Sequence, residues 1–533
     1  MSRMLLCVPA LLPIIGGVAI LFAGQRNAVA ERKLEFWVEG LTVLNSLILG
    51  WLIFGAGEGD SLVLFHLFGN LKVMFRLDGM GRVFAGLIGF LWPLAVLYSF
   101  EYMKEEERKS TFFAYYLMTY GVTAGIAMAG NLITMYLFYE LLTLVTFPLV
   151  LYPMTREARQ ASRKYLYYSI GGAAFAFIGL VFVLSFSATG TTEFMPGGVL
   201  DLQAAEAGKN TLYLVFLLAF FGFGVKAALF PCHGWLPRAT VAPTPVTALL
   251  HAVAVVKSGA FAVLRLTYYS FGTEFLRGSW AQWVMMGAAM VSIVYGSTMA
   301  VREAHWKRRL AYSTISNLSY ILLGASMMSP LGLVAALSHM VFHGFMKIGS
   351  FFCAGAVMHQ TGKQYIYELD GLGKRMPVTF GCLTIASLSL IGIPMFAGFI
   401  SKWNIARAGF TCGMEAAGLG MGAAVSGMTA AAGPGIWRFL PFGAVAVLLY
   451  SALMTAVYML TVLVRAYFPK LIREINENGN GKEEKMKKAE TAACDPNWMM
   501  LVPLLIFSVI IIGFGVHSQP LMAFLTEIGG AAG

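Results

Sequence analysis

The chain has 533 residues, of which 58% are hydrophobic and only 12% charged. So few charges cannot cover a water-facing surface, which excludes a soluble globular protein. The net charge of +11 does not indicate nucleic acid, because the basic residues gather in short loops, as membrane orientation requires.

A bilayer crossing takes roughly 20 apolar residues. The hydropathy pattern predicts an all-α membrane protein of about fourteen spans, at 4–24, 34–56, 81–100, 111–129, 131–153, 163–188, 211–232, 242–270, 280–300, 309–328, 332–358, 377–410, 438–464 and 499–517. The first run has one arginine ahead of it and no clear small-residue cleavage site, so it reads as a retained span and not a signal peptide. The run at 377–410 is too long for one straight helix, and Pro394 and Gly398 divide it into two half-helices. Grouped in order, 1–110 carries spans one to three and 111–270 spans four to eight. Spans nine to thirteen fill 280–465, 466–498 is a polar connector, and 499–533 holds the last span. Residues 471–490 are rich in Lys and Glu and read as solvated. Residues 413–435, rich in Gly, Ala and Met, receive no assignment.

Basic clusters follow the first, fifth, ninth, eleventh and thirteenth spans: Arg26, Arg32 and Lys33; Arg156 to Lys164; Arg302 to Arg309; Lys363 to Arg375; and Lys470 to Lys488. All lie after odd-numbered spans, which places them on the cytoplasmic side of the cell membrane and both termini outside. The six cysteines form no CxxC pair, and no Walker A, dinucleotide or haem motif is present. No cofactor and no metal is expected, and the protein itself performs no redox chemistry.

The chemistry lies in ionisable groups at bilayer depth, which are costly and therefore functional candidates. Lys226 and Lys257 flank a stretch with four prolines, Pro231, Pro237, Pro243 and Pro245, which breaks any helix there. Glu140 sits mid-span. Desolvation disfavours a charged amine and a nearby carboxylate favours it, so a Glu140 that moves relative to Lys226 would switch the lysine's proton affinity. The bland alternative is a static ion pair that fixes packing. His339, His343 and Lys347 are spaced by four and form one helical stripe. They read as a proton relay, with packing histidines or a zinc pair as alternatives. His251, six residues before Lys257, is a further relay candidate, whereas Asp78, Arg265 and Arg465 read as interfacial anchors.

Gly222-Phe-Gly-Val-Lys226 recurs as Gly398-Phe-Ile-Ser-Lys402. Lys226 falls in the fourth span of one set of five and Lys402 in the fourth of the next. An odd number of spans inverts the second set, giving two inverted five-helix repeats with broken helices, a recurrent transporter design.

At these residues the chain resembles the antiporter-like subunits of respiratory complex I, membrane-bound hydrogenases and Mrp-type cation/proton antiporters. The match is carried by Tyr139-Glu140-Leu-Leu, Gly222 to Lys226, Pro231-Cys-His233-Gly-Trp-Leu-Pro237, Ala242 to His251, Lys257-Ser-Gly, Lys307 to Ser313, His339, His343, Lys347, and Gly398 to Lys402. It covers roughly 78 to 402. Thr240 departs from it, since relatives often carry histidine there, and no long lateral helix is expected after the last span. The resemblance implies that Glu140 partners Lys226, that Lys257 is the central relay, that His339, His343 and Lys347 extend the axis, and that Lys402 is the exit-side lysine. It further implies a proton-translocating subunit, with the choice between H+ and Na+ as the ion moved left open, in a hetero-oligomeric complex of the NADH-quinone oxidoreductase or hydrogenase type. The alternatives are the large subunit of an Mrp-type Na+/H+ antiporter and, from another class, a passive membrane scaffold.

Overall fold

The computed structural model describes residues 3–25, 31–55, 57, 59–418, 435–469 and 494–532. The unassigned 413–435 stretch and the polar connector lie mostly outside these residues. Long apolar runs become helices because a buried backbone must satisfy its own hydrogen bonds. The described helices are α1 (Val8–Gln25), α2 (Glu31–Gly55), α3 (Gly79–Tyr102), α4 (Lys109–Ala127), α5 (Leu132–Leu151), α6 (Arg156–Ser185), α7 (Leu202–Ala207) and α8 (Lys209–Gly224). They continue as α9 (Thr244–Ala252), α10 (Val255–Arg265), α11 (Thr273–Leu276), α12 (Trp280–Arg302), α13 (Trp306–Ser326), α14 (Pro330–Thr361), α15 (Pro377–Ile391), α16 (Ala397–Ala416), α17 (Leu440–Tyr467), α18 (Trp498–Val516) and α19 (Gln519–Ala532).

Every span expected from the sequence falls on one of these helices or on a broken pair. Among the described residues, ten segments are long and apolar enough to cross a membrane on length and composition, and α8 and α15 are shorter apolar helices. Polar side chains start several helices by accepting from free first-turn N–H groups. Asn131 does so at α5, Thr155 at α6, Ser279 at α12 and Ser329 at α14. The connector's end supplies another such acceptor, since the Asp495 carboxylate takes the N–H groups of Val378 and Thr379 at 3.0 Å.

Burial is uneven. The segment Thr244–Phe271, comprising α9, α10 and a π-helical turn at Leu266–Phe271, is 100% buried over its most apolar window, and Pro330–Thr361 is 94% buried. The other candidate spans reach at most 67%. These two segments therefore form the centre of the bundle, and they bury Lys257, Lys347, His251, His339, His343 and Arg265 along with their apolar residues. α14 packs against α9, α13, α15, α16, α18 and α19.

The chain departs from straight helices at three places. α8 stops at Gly224, α9 and α10 are separate helices that meet at Val253 and Ala254, and α15 and α16 are parted by Gly392 to Phe396. Ala228 and Met395, at the first and third, hold φ of +55° and +73°, a region that non-glycine residues occupy only at a cost.

Two features lie outside the sequence expectation. Residues Ser61–Phe68 (β1) and Leu71–Arg76 (β2) form an antiparallel hairpin, turned at Gly69 with φ +52°. It is tied to the α4–α5 turn through Arg76 N–H to Met128 O and Asn131 Nδ2 to Lys72 O. After α18 the short helix α19 folds back onto α14, with Gly529 against the Pro330 carbonyl.

Candidate functional site

The first group assembles at the α8 break. Lys226 follows the end of α8 and is fully buried, and its Nζ lies 3.7 Å from Glu140 Oε1 on α5. The separation makes a loose ion pair without a hydrogen bond. The Lys226 ammonium instead donates to the Tyr139 carbonyl and sits over the Tyr139 ring, 3.3 Å from its centroid. Glu140 keeps 30% of its side chain accessible, and its Oε1 has no hydrogen-bond partner among the protein groups described. Gly259 explains how α10 comes so close: a Cβ there would stand 2.4 Å from Ala227 N and 3.0 Å from Lys226 Cβ.

The second group joins the two central segments. Lys257 Nζ is 2.8 Å from His343 Nδ1, with both residues fully buried. The His343 and His339 rings lie 5.7 Å apart, one helical turn along α14. His339 Nδ1 is 2.9 Å from Ser401 Oγ, on the residue next to Lys402. Lys402 Nζ donates to the Leu390 and Ile391 carbonyls at 2.6 and 3.1 Å, the free C-terminal carbonyls of α15. The sequence places Lys402 in a broken span. It lies in the first turns of α16 and reaches back across the break.

Lys347 takes a branch of its own. Its Nζ donates to Ser313 Oγ at 2.8 Å, and Ser313 Oγ is 2.6 Å from Tyr458 Oη. His251 is fully buried against the Phe351 ring at 4.9 Å, and neither ring nitrogen has a hydrogen-bond partner among the protein groups described. The residues singled out from sequence thus fall into a Glu140–Lys226 pair, a Lys257–His343–His339–Ser401–Lys402 run, a Lys347–Ser313 branch and an isolated His251. Among the described residues, no group of three His, Cys, Asp or Glu could hold a metal ion.

The contacts of other residues escaped the sequence reading. Ser313, Ser401 and Tyr458 carry no signal alone, because helix neighbours are set by packing. Lys307, in the first turn of α13, donates to the Ala242 carbonyl at 3.0 Å, and burial pushes its ammonium down to about 8. The Asp78–Arg265 pair corrects an expectation of two interfacial anchors. Arg265 is fully buried, grips both Asp78 carboxylate oxygens at 2.5 and 2.6 Å, and is flanked by the rings of Phe194, Phe261 and Tyr269.

Residues 129–429 match the family described as "NADH:quinone oxidoreductase/Mrp antiporter, TM". The chain belongs to this family. It is an antiporter-like membrane protein, and its relatives are subunits of multisubunit complexes. It is 30% identical over 442 residues to the N subunit of the NADH-quinone oxidoreductase of Desulforudis audaxviator, covering 82% of this chain and 80% of that protein. It is 35% identical to a Na(+)/H(+) antiporter subunit of Alkalihalophilus pseudofirmus and to a probable K(+)/H(+) antiporter subunit of Rhizobium meliloti. Those matches take in 61% and 62% of this chain but only 41% and 32% of the relatives' lengths. The fold superposes over the whole chain on a component of an archaeal membrane-bound sulfane sulfur reductase, with TM-score 0.80 at 24% identity. It also superposes over the whole chain on a component of the Mrp complex of a Dietzia species, with TM-score 0.77 at 20% identity.

Proposed function

We propose that this protein moves protons through the buried file of Glu140, Lys226, Lys257, His343, His339 and Lys402, with Lys347 and His251 as side branches. The observation that carries the reading is the 2.8 Å contact between Lys257 and His343, which joins the two most buried segments of the bundle by two titratable groups. Burying two such groups together costs free energy unless their protonation is used. Along the same line, Ser258 Oγ, Asn317 Oδ1, His339 Nε2 and His343 Nε2 are buried without a protein partner among the described residues. Water is the ordinary partner of such atoms, and a water chain would link the Lys226 and Lys257 groups.

The switch is the loose Glu140–Lys226 pair. A carboxylate held off at 3.7 Å is free to close on the ammonium or to leave it. Either movement changes the stability of the charged lysine, and hence whether its proton passes on toward Lys257. Spans four to eight and nine to thirteen act as two inverted repeats in this scheme. In support, both Lys226 and Lys402 donate to main-chain carbonyls, and both breaks hold a non-glycine residue at positive φ. The orientation has both termini outside the cell membrane, from the positions of the basic loops.

The driving partner is a redox complex of the NADH-quinone oxidoreductase or hydrogenase type, supported by the relative matched along 80% of its length. The large subunit of an Mrp-type Na+/H+ antiporter is the second reading, favoured by the 35% identity to the Alkalihalophilus antiporter protein. Isolation of the native complex separates them: iron–sulfur or nickel–iron subunits support the first, a set of small antiporter subunits the second. Lys226→Ala in the intact complex, reconstituted in vesicles, tests the file itself. Proton movement is expected to fall to background while the complex stays assembled. Unchanged proton movement would leave only the scaffold role.

A further inference from the structure

Away from the Lys/His file, a second set of buried polar atoms sits where α2, α3 and α4 meet. Asn45 on α2 is fully buried, and neither its Nδ2 nor its Oδ1 has a partner among the protein groups described. Beside it, Tyr120 of α4 bonds Ser46 Oγ at 2.8 Å and stacks on Trp92 of α3, centroids 4.8 Å apart and 11° from parallel. Trp92 Nε1 and the hydroxyl of the adjoining Tyr116 are likewise buried and unpaired among the described residues. Some comparable groups elsewhere find partners, whereas Trp283 Nε1 and Tyr152 Oη do not among the described residues. Trp235 Nε1 donates to Val225 O at 2.8 Å, and Tyr98 Oη to Phe352 O at 2.8 Å. These atoms lie together on three contacting helices, with Tyr120 next to Asn45 and Ser99 next to Tyr116, and a buried polar cluster of this kind is one that water fills.

Glu39 opens the cluster at one end. It precedes Ser46 by seven residues, two helical turns, so the two share a stripe of α2 about 10 Å long, with Thr42 between them. Its Oε2 is buried and unpaired among the described residues. A carboxyl at this depth in a span is costly to keep without use. The titratable groups on the elements packed against α2 toward this end are Lys109, Tyr115 and Tyr116 of α4 and Tyr98, Glu101 and Tyr102 of α3, while α1 has none. On the other side of α3, Leu87 and Leu91 pack onto Gly344 of α14 and stand between this cluster and the Lys/His file.

We propose that the N-terminal helices hold a second, hydrated proton-binding chamber, with Glu39 as its acid and Asn45, Trp92, Tyr116 and Tyr120 as its lining. Its ligands are water and the proton. It is a dead-end store beside the file, which holds or releases a proton without lying on the through-path.

Hydroxyl-radical footprinting of the intact complex, read by mass spectrometry, tests the water. Trp92 and Tyr116 should be modified at least about fivefold faster than the equally buried but hydrogen-bonded Trp235 and Tyr268, since radicals form from bound water. Equal rates would overturn the chamber. A hydrophobic carbodiimide, which attacks only the protonated carboxyl, tests the acid. Glu39 should take up label in the native complex, with less label as pH rises, and Glu39→Gln should remove that label. Absence of Glu39 label at every pH would overturn its role as the acid. Neither failure would touch the Lys226 result, which reports on the file alone.

Discussion

Replacing Glu140 by glutamine removes one charge from the site and almost no volume. The lost interaction follows from the 3.7 Å Nζ–Oε1 separation. Coulomb's law gives about 1 kcal/mol in a water-like medium and about 4 kcal/mol at an effective dielectric of about 20. The partial exposure of Glu140 draws the value toward the lower half of that range. Each ~1.4 kcal/mol is a tenfold change, so the balance between charged and neutral Lys226 should move by about 10- to 100-fold. A relay step that depends on this balance slows in proportion. The assay is proton uptake into vesicles carrying the whole complex, with assembly checked by native gel. Glu140→Gln should lower the rate at least about tenfold, and Glu140→Asp, which keeps the charge, should recover part of it. A Glu140→Gln complex that assembles and pumps at the wild-type rate would refute the switch.

Four further outcomes follow from the geometry. Gly398→Ala puts a Cβ 1.9 Å from the Ser389 carbonyl, so α16 must shift away from α15, and both melting temperature and proton movement should drop. Gly259→Ala meets the Ala227 backbone at 2.4 Å and should likewise separate α10 from Lys226, costing about 1–3 kcal/mol in stability by denaturant titration. Asp78→Asn leaves the buried Arg265 without its counter-charge and should cost about 3–5 kcal/mol, measured as lost thermal stability, with Lys226-dependent transport affected only through the lost protein. Burial holds the Lys307 ammonium down to about 8 from 10.5, so the folded state sheds its proton first and wild type should gain thermal stability relative to Lys307→Gln as pH rises from about 8 toward 10.5.

The helices were legible because each apolar run has a length the bilayer demands, and the charged side chains were legible because they interrupt those runs. The partners were less so. Glu140 and Lys226 are 86 residues apart in sequence, as are Lys257 and His343; opposite charges at bilayer depth suggested the first pair, whereas nothing in the sequence joined the second. Ser313, Ser401 and Tyr458 are ordinary polar residues whose roles arise when α13 and α16 pack on α14 and α17 packs on α13. The hairpin at Ser61–Arg76 is too short and too apolar on both faces to stand out between two spans. Arg265 looked like an anchor because it ends an apolar run, but the chain continues as a π-helical turn and buries it against Asp78.

Lys257 is the residue on which the two halves of the file depend, since it carries the contact to His343 from the α10 side. Proton flux through the reconstituted complex carrying Lys257→Met, a substitution that keeps the apolar stem and deletes the ammonium, is therefore the most direct measurement. Flux below about a tenth of the wild-type value, with the complex intact, is what a continuous relay requires. Flux equal to wild type would mean that protons do not pass between these two segments.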